Sequence, residues 1–522
     1  MDDPTKEYRI TILLTAGLLF GAFTLVYIFS TPSLKNQDWD SLEYAHAAEI
    51  APVSELWGNH PLGHLVHSGV YRLAIALGYS GRALPLLQLS NGVLFAVSLS
   101  VFFLVLVRRW YHGALVAAGW TVFLGSGIAI MSSAGSADIY ALSLLLMLLA
   151  WDGMLVTIQH HSYSRLTWAA VSTGLAGLAH QFGFILLAAA TISAIGYLRW
   201  KIWLTCLFGS LTVLFIGYSA MAYLETGTVS LENWLNWAGG YLGEPTFGKP
   251  VTSQTSRIMW NAGSQSVFAS DVPAGMNVFR FFLLAFTGLL LFRATLSPRP
   301  DAIQKNVPDL RTNFFPIAIG IVLITWWDPG IQGKFWLLIF PFFAAFLSAG
   351  LPDRPWSQSL PLLIGLSLLA YNQFGAVRKN YDPDPAFDEA LKTWVAKTER
   401  EDVLFEGGQL THFLHYWSDR PGAISAHLLL YDNDDPDDPF ANLHRVMRAA
   451  WARGSTVWIA PGISDYYSDE RLSSVGISVA ELERLLHSFY WEGPVFEYRL
   501  TKRGPLQQVF RLLPRSSAAP PM

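Results

Sequence analysis

The sequence is poor in charge. Asp, Glu, Lys and Arg make up 14% of its 522 residues, where a soluble domain carries about 25%, and the mean hydropathy is +0.33. This excludes an ordinary soluble globular chain and makes a lipid bilayer the fitting solvent. Basic residues are outnumbered, with a net charge of -4, so no positive field is present to hold nucleic acid. Cysteine is almost absent: Cys206 stands alone inside an apolar run, which excludes an intrachain disulfide. A Walker sequence, a glycine-rich dinucleotide loop and an internal repeat are also missing. The first two absences weigh against direct use of a nucleotide sugar, and the third against a transporter built of inverted repeats.

The chain has apolar runs instead, each near the ~20 residues that cross a bilayer as a helix. Eleven are read as spans, over residues 10–30, 84–107, 114–131, 139–157, 167–179, 182–198, 202–224, 277–291, 313–325, 335–351 and 359–374. The first is longer than a signal-peptide core and no small-residue cleavage pattern follows it. Lys6 and Arg9 flank it, which puts the N-terminus in the cytoplasm by the positive-inside rule. Arg108, Arg109, the basic residues of 160–165, Arg199, Lys201, those of 293–311 and Arg354 then fall on the same side. The runs around "GLAHQFG" are short, so they form either two crossings or one re-entrant hairpin.

Outside loops follow at 31–81, 133–138, 179–183, 225–276 and 326–334, and an odd span count sends everything after about residue 375 outside as well. That tail differs in kind. Charge density rises, and β-rich runs in "DVLFEG", "STVWIA" and "QQVFRLL" alternate with helical patterns such as "FANLHRVMRAAWARG". The expected fold is thus mainly α, a polytopic helical membrane bundle over 1–376 followed by a small α/β domain over 377–522. In the tail, "DNDDPDDP" lacks the glycine and terminal glutamate of a calcium loop and reads as solvated. The aromatic, glycine-rich segment "ENWLNWAGGYLGEPTFGKP" is either a flap over a site or an ordinary membrane-surface loop.

Five acids and four histidines crowd residues 36–73, directly after the first span. In "DWDSLEYAHAAE", Asp40 and Glu43 share one face of a short helix that Trp39 and Tyr44 hold at the interface. Two carboxylates so placed are either solvated or used. In "NHPLGHLVHSGVYRL", Asn59 or His60 caps a second helix, Pro61 suits its first turn, and His60, His64 and His67 recur along one face. These histidines are zinc ligands, capping groups or donors to an anionic substrate; an HExxH pattern is missing, and Pro61 disfavours a two-histidine metal clamp. Lys334, beside an apolar run, either snorkels or meets an anion. Arg257 is a second cation on the outer side.

These stretches resemble a known family. "DSLEYAHAAE…NHPLGHL" after a first membrane helix looks like the first outer loop of the GT-C glycosyltransferases, in particular the "DSGE…HPPG" pattern of the transmembrane protein O-mannosyltransferases and their bacterial relatives. "SADIY" resembles that family's "EVY" segment, with Asp138 in place of the glutamate, and "GLAHQFG" resembles its "GLGNHLT" turn, with His180 at the histidine. "DVLFEGGQLTHFLHYWSDRPG" resembles the "GDNDTFPLWY" strand and turn, with Gly408 and Gln409 where acids are expected.

The resemblance implies a glycosyltransferase, in an inner membrane of bacterial type, whose site and C-terminal domain face the periplasm or exterior. It would move a sugar from a polyprenyl-phosphate donor to a protein, lipid or glycan acceptor. It makes Asp40 the base or acceptor-orienting carboxylate and Glu43 its partner. His60, His64, Asp138, Tyr140, His180, Arg257 and Lys334 become donor-binding candidates. A divalent metal on Asp40 and Glu43 is the less favoured use of those acids, and no other cofactor is implied. A transporter or lipid-carrier flippase, and a non-catalytic scaffold, are the rival classes. The first calls for polar residues midway through spans, and the second for an Asp40 whose replacement leaves cellular activity untouched.

Overall fold

The computed structural model describes residues 4–31, 39–50, 60–110, 112–160, 163–184, 187–188, 200–228, 230, 253–269, 278, 280–281, 285, 311–327, 334–348, 355–374, 385–406, 409–425, 438, 440–460, 477–500 and 506–514. They fall in two compact units: Met1–Pro32, Ala47–Gly243 and Phe247–Tyr381 form the first, and Ser33–His46, Glu244–Thr246 and Asp382–Met522 the second.

The first unit is helical. Its elements begin with α1 (Pro4–Ser30), the end of α2 (Trp39–Ile50), α3 (Pro61–Ala76), α4 (Ala83–Arg109), α5 (Ala114–Gly125), α6 (Ile128–Ala134), α7 (Tyr140–His160) and α8 (Tyr163–Ala179). Helices Trp200–Thr226, Ser253–Val267, Arg311–Trp327, Lys334–Ser348 and Pro355–Asn372 follow. Among the described residues, four helices are long and apolar enough to cross a membrane: Tyr8–Ser30, Ala83–Arg109, Tyr140–Thr157 and Leu204–Leu224. Others of the eleven expected runs fall on shorter helices, and 182–198 and 277–291 lie largely outside the described residues.

The run at 114–131 is not one continuous helix. Its two helices, α5 and α6, meet at a 70° bend across "GSG", a sequence with little hold on helical dihedrals. A break inside an apolar run leaves backbone groups that must find partners inside the protein. Tyr27 Oη donates to the Gly125 carbonyl at 3.0 Å and Asn372 Nδ2 to the Ser126 carbonyl at 2.7 Å; Asn372 also donates to Val267 O (2.8 Å) and accepts from Ala269 N at 2.9 Å. The helix that carries Asn372 packs along α5, and Gly119 makes that approach feasible, since a Cβ there would lie 2.5 Å from Leu362 N.

α4 is fixed at both ends. Glu49, near the end of α2, accepts from Ala83 N at 2.7 Å and from Arg82 Nε at 3.0 Å, placing a carboxylate at the helix N-terminus. Arg109, in the last turn, donates to both Asp152 oxygens at 2.6 and 3.3 Å. α1 packs along α4, and Tyr27 Oη reaches over to the Gly125 carbonyl at 3.0 Å.

The second unit has a five-stranded sheet of order β2-β1-β3-β5-β4, with β1 (Val403–Glu406), β2 (Ala423–Ser425), β3 (Val457–Ile459), β4 (Tyr490–Tyr498) and β5 (Gln507–Leu513). β1 pairs in parallel with β2 and β3, and β5 runs antiparallel to β3 and β4. Helices Pro385–Lys397, Gln409–Ser418, Ala441–Ala452 and Val479–His487 accompany it. Leu443, Met447, Leu482 and Leu486 pack on Val403, Phe405, Val457 and Leu512. Asp419, at φ +49, ends Gln409–Ser418 in a left-handed residue.

Candidate functional site

Residues far apart in sequence meet in the first unit. α3 starts after His60, whose backbone (φ −150, ψ 57) is not helical and whose side chain makes no capping bond. His60 therefore does not cap α3 through its side chain, Asn59 lies outside the described residues, and the His60 ring packs against other rings. His60 and His64, one turn apart, stack with centroids 5.7 Å apart and planes 18° from parallel. His180 stacks on His60 at 5.5 Å and 11°, and Tyr140 contacts His180 at 4.8 Å. All four side chains are buried. Two features of local chain geometry allow this. The backbone leaves the helix at His180 and resumes it from Gln181, and Gly63 lets α3 approach α7, since a Cβ there would meet Ile139 Cγ2 at 2.9 Å. Phe182 N donates to His180 Nδ1 at 3.2 Å, which leaves the ring proton on Nε2.

Beside Tyr140 lies Asp138, 1% exposed. Its Oδ1 accepts from Ile139 N at 2.8 Å, and its Oδ2 lies 3.2 Å from Lys334 Nζ. Both are donor-binding candidates of the sequence. They face each other, so the Lys334 side chain, 16% exposed, does not simply snorkel. α4 holds the turn that presents Asp138. Gln88 Nε2 donates to Gly135 O at 3.0 Å, and Asn91 Nδ2 donates to Ser136 O at 2.8 Å and to Asp138 O.

Burial pushes His64 down to about 3 and His67 down to about 4, with the neighbouring His67 adding to the first and a hydrogen bond with Asn91 opposing the second. Both imidazoles are neutral near pH 7. They serve as hydrogen-bonding groups, and the fixed positive charge of this cluster is the Lys334 ammonium.

Asp40 and Glu43 belong to the second unit. Asp40 is half-buried in α2. Glu43 Oε1 stands 3.2 Å from His412 Nδ1, and one turn on His46 Nε2 lies 2.9 Å from His415 Nε2. Among the described residues, no three His, Cys, Asp or Glu side chains are grouped so as to hold a metal ion. Arg257 is exposed on Ser253–Val267, and among the described residues nothing joins it to the histidine cluster.

Four polar residues of these clusters were not singled out from the sequence. Gln88 and Asn91 carry a signal, being amides inside an apolar run. His412 and His415 carry a weaker one, three apart on a helical pattern, with partners that only the fold reveals. Most of the segments at 432–439, 225–276 and 326–334 lies outside the described residues.

No protein-family model matches the sequence, and no curated protein matches it. Among solved structures the chain is similar to ArnT from Cupriavidus metallidurans, crystallised in the apo state, with 13% identity and a TM-score of 0.48 over 95% of this chain and 97% of that one. At this identity and TM-score the likeness assigns neither a substrate nor a residue's role.

Proposed function

We propose that the chain is a multi-pass membrane glycosyltransferase of the GT-C type that moves a sugar from a polyprenyl-phosphate carrier to an acceptor on the non-cytoplasmic face. One observation carries the reading. Three short stretches that resemble the family, "NHPLGHL", "SADIY" and "GLAHQFG", meet through His60, His64, Asp138, Tyr140 and His180, with Lys334 beside them.

The chemistry follows from what these groups can do. The acceptor hydroxyl attacks the anomeric carbon, the bond from that carbon to the phosphate oxygen breaks, and polyprenyl phosphate leaves with the electron pair. Asp40 takes the hydroxyl proton, with Glu43 in support. Neutral imidazole N–H groups and the Lys334 ammonium meet the charge on the departing phosphate, where donors that need no reorganisation are most effective. Asp138, 3.2 Å from Lys334 Nζ, is the carboxylate that holds Lys334 in place.

The test is turnover by the purified full chain in lipid nanodiscs, given a panel of polyprenyl-phosphate sugars. Release of polyprenyl phosphate from at least one donor, lost in Asp40→Asn, is expected. A folded protein that neither hydrolyses nor transfers from any donor in the panel overturns the reading.

A further inference from the structure

Two cross-helix pairs lie in the second unit, and three of their four members, His412, His46 and His415, have no part in the glycosyl-transfer reading. Glu43 faces His412, and His46 faces His415, so α2 is tied twice to helix Gln409–Ser418. The rings of His46 and His415 are 4.4 Å apart at 79°, an edge-on arrangement that aims one nitrogen at the other, and Tyr416 borders His46 at 6.3 Å. The His415 ring also donates to the backbone of Ala423, at the start of β2. With Nε2 turned to His46, that donor is Nδ1, so the neutral ring accepts at Nε2 and His46 Nε2–H donates.

We propose that the His46–His415 hydrogen bond is a proton-sensitive clamp: it fastens α2, the helix carrying Asp40, to the C-terminal domain, and opens when both rings are protonated. One added proton is accommodated, because an imidazolium can donate to a neutral imidazole. A second leaves two N–H groups and two positive charges facing each other across 2.9 Å. The surroundings set the threshold. Burial and His412 disfavour charge on His415, whereas Glu43 and Asp419 favour it. The Glu43–His412 contact, 3.2 Å long, is a second tie between the same two helices, one turn earlier on α2. Opening the His46–His415 bond therefore loosens one turn of α2 while Glu43 and His412 remain side by side.

The test needs no sugar transfer, so its failure is separate from failure of the proposed activity. Amide hydrogen exchange of the full chain in zwitterionic nanodiscs is followed at about pH 8, 6.5, 5 and 4, a range carried below the ordinary imidazole value because burial lowers His415, with rates corrected for intrinsic pH dependence. Amides of residues 40–46 should exchange about tenfold faster at the lowest pH, the equivalent of one lost hydrogen bond. The His415→Gln amide oxygen can accept from His46 in either protonation state, so that variant should stay flat. His46→Gln, which donates without titrating, is the reciprocal check should the first variant not fold. Wild-type exchange that is flat with pH overturns the proposal. So does equal loosening in a folded glutamine variant, or loosening that extends to β3 and signals unfolding of the whole domain.

Discussion

Lys334 Nζ lies 3.2 Å from Asp138 Oδ2, and the Asp138 side chain is 1% exposed. Removing one partner of such a pair strands a buried charge, whereas removing both leaves only a packing change. Lys334→Met should therefore destabilise the protein by about 3–5 kcal/mol, and adding Asp138→Asn should recover most of that loss. Thermal melts of the two singles and the double, in the same detergent, check this. Additive losses would show that the pair is not coupled.

The stacked rings separate shape from hydrogen bonding. His64→Phe keeps a ring against His60 but removes both nitrogens, so folding should survive while donor affinity falls about tenfold, the value of one hydrogen bond to a charged group. Binding of a polyprenyl-phosphate analogue is the measurement. Because burial holds His64 near 3 and His67 near 4, neither gains a proton until well below pH 6. Donor affinity should accordingly be level from about pH 8 to about pH 6, the upper side of the ordinary imidazole range. A step centred near the ordinary value would mean that a solvated histidine binds the phosphate.

Topology rests on the odd span count and on arginine bias, so it is a separate prediction. Reporter fusions at Asp301 and at Ser516 should report opposite sides of the membrane. The same side at both positions would remove the C-terminal domain from the non-cytoplasmic face.

Local pattern made some of this legible and left the rest hidden for identifiable reasons. β1, β3 and β5 stand in the runs read as strands, and helix Ala441–Ala452 lies in its amphipathic pattern. β2 was not read because it has three residues, and β4 because Gly493 and Pro494 interrupt it, a composition tolerated on an edge strand such as this one. The bend after Gly125 was masked by apolarity, which continues across the break while helical geometry does not. His60 and His64 were singled out by their spacing on one helix face, and Asp138, Tyr140 and His180 by resemblance. That Asp138 would meet Lys334, or His46 meet His415, depends on helix packing over hundreds of residues, which periodicity does not encode.

Asp40 is where the proposed activity is most exposed to refutation. It sits in the first turn of α2, where a carboxylate is compatible with the helix dipole, so replacing it with a neutral isostere should cost little stability. If Asp40 takes the acceptor proton, Asp40→Asn should lower turnover by roughly 10²-fold or more, the range of general-base catalysis, while donor affinity stays near wild type. Glu43→Gln should be milder, because Glu43 is already engaged with His412 at 3.2 Å and an amide can still accept that bond. Single-turnover rates and donor binding, measured on the same preparations, separate the two effects. An Asp40→Asn protein that folds and transfers sugar at the wild-type rate would return the acids of α2 to a solvated interfacial helix.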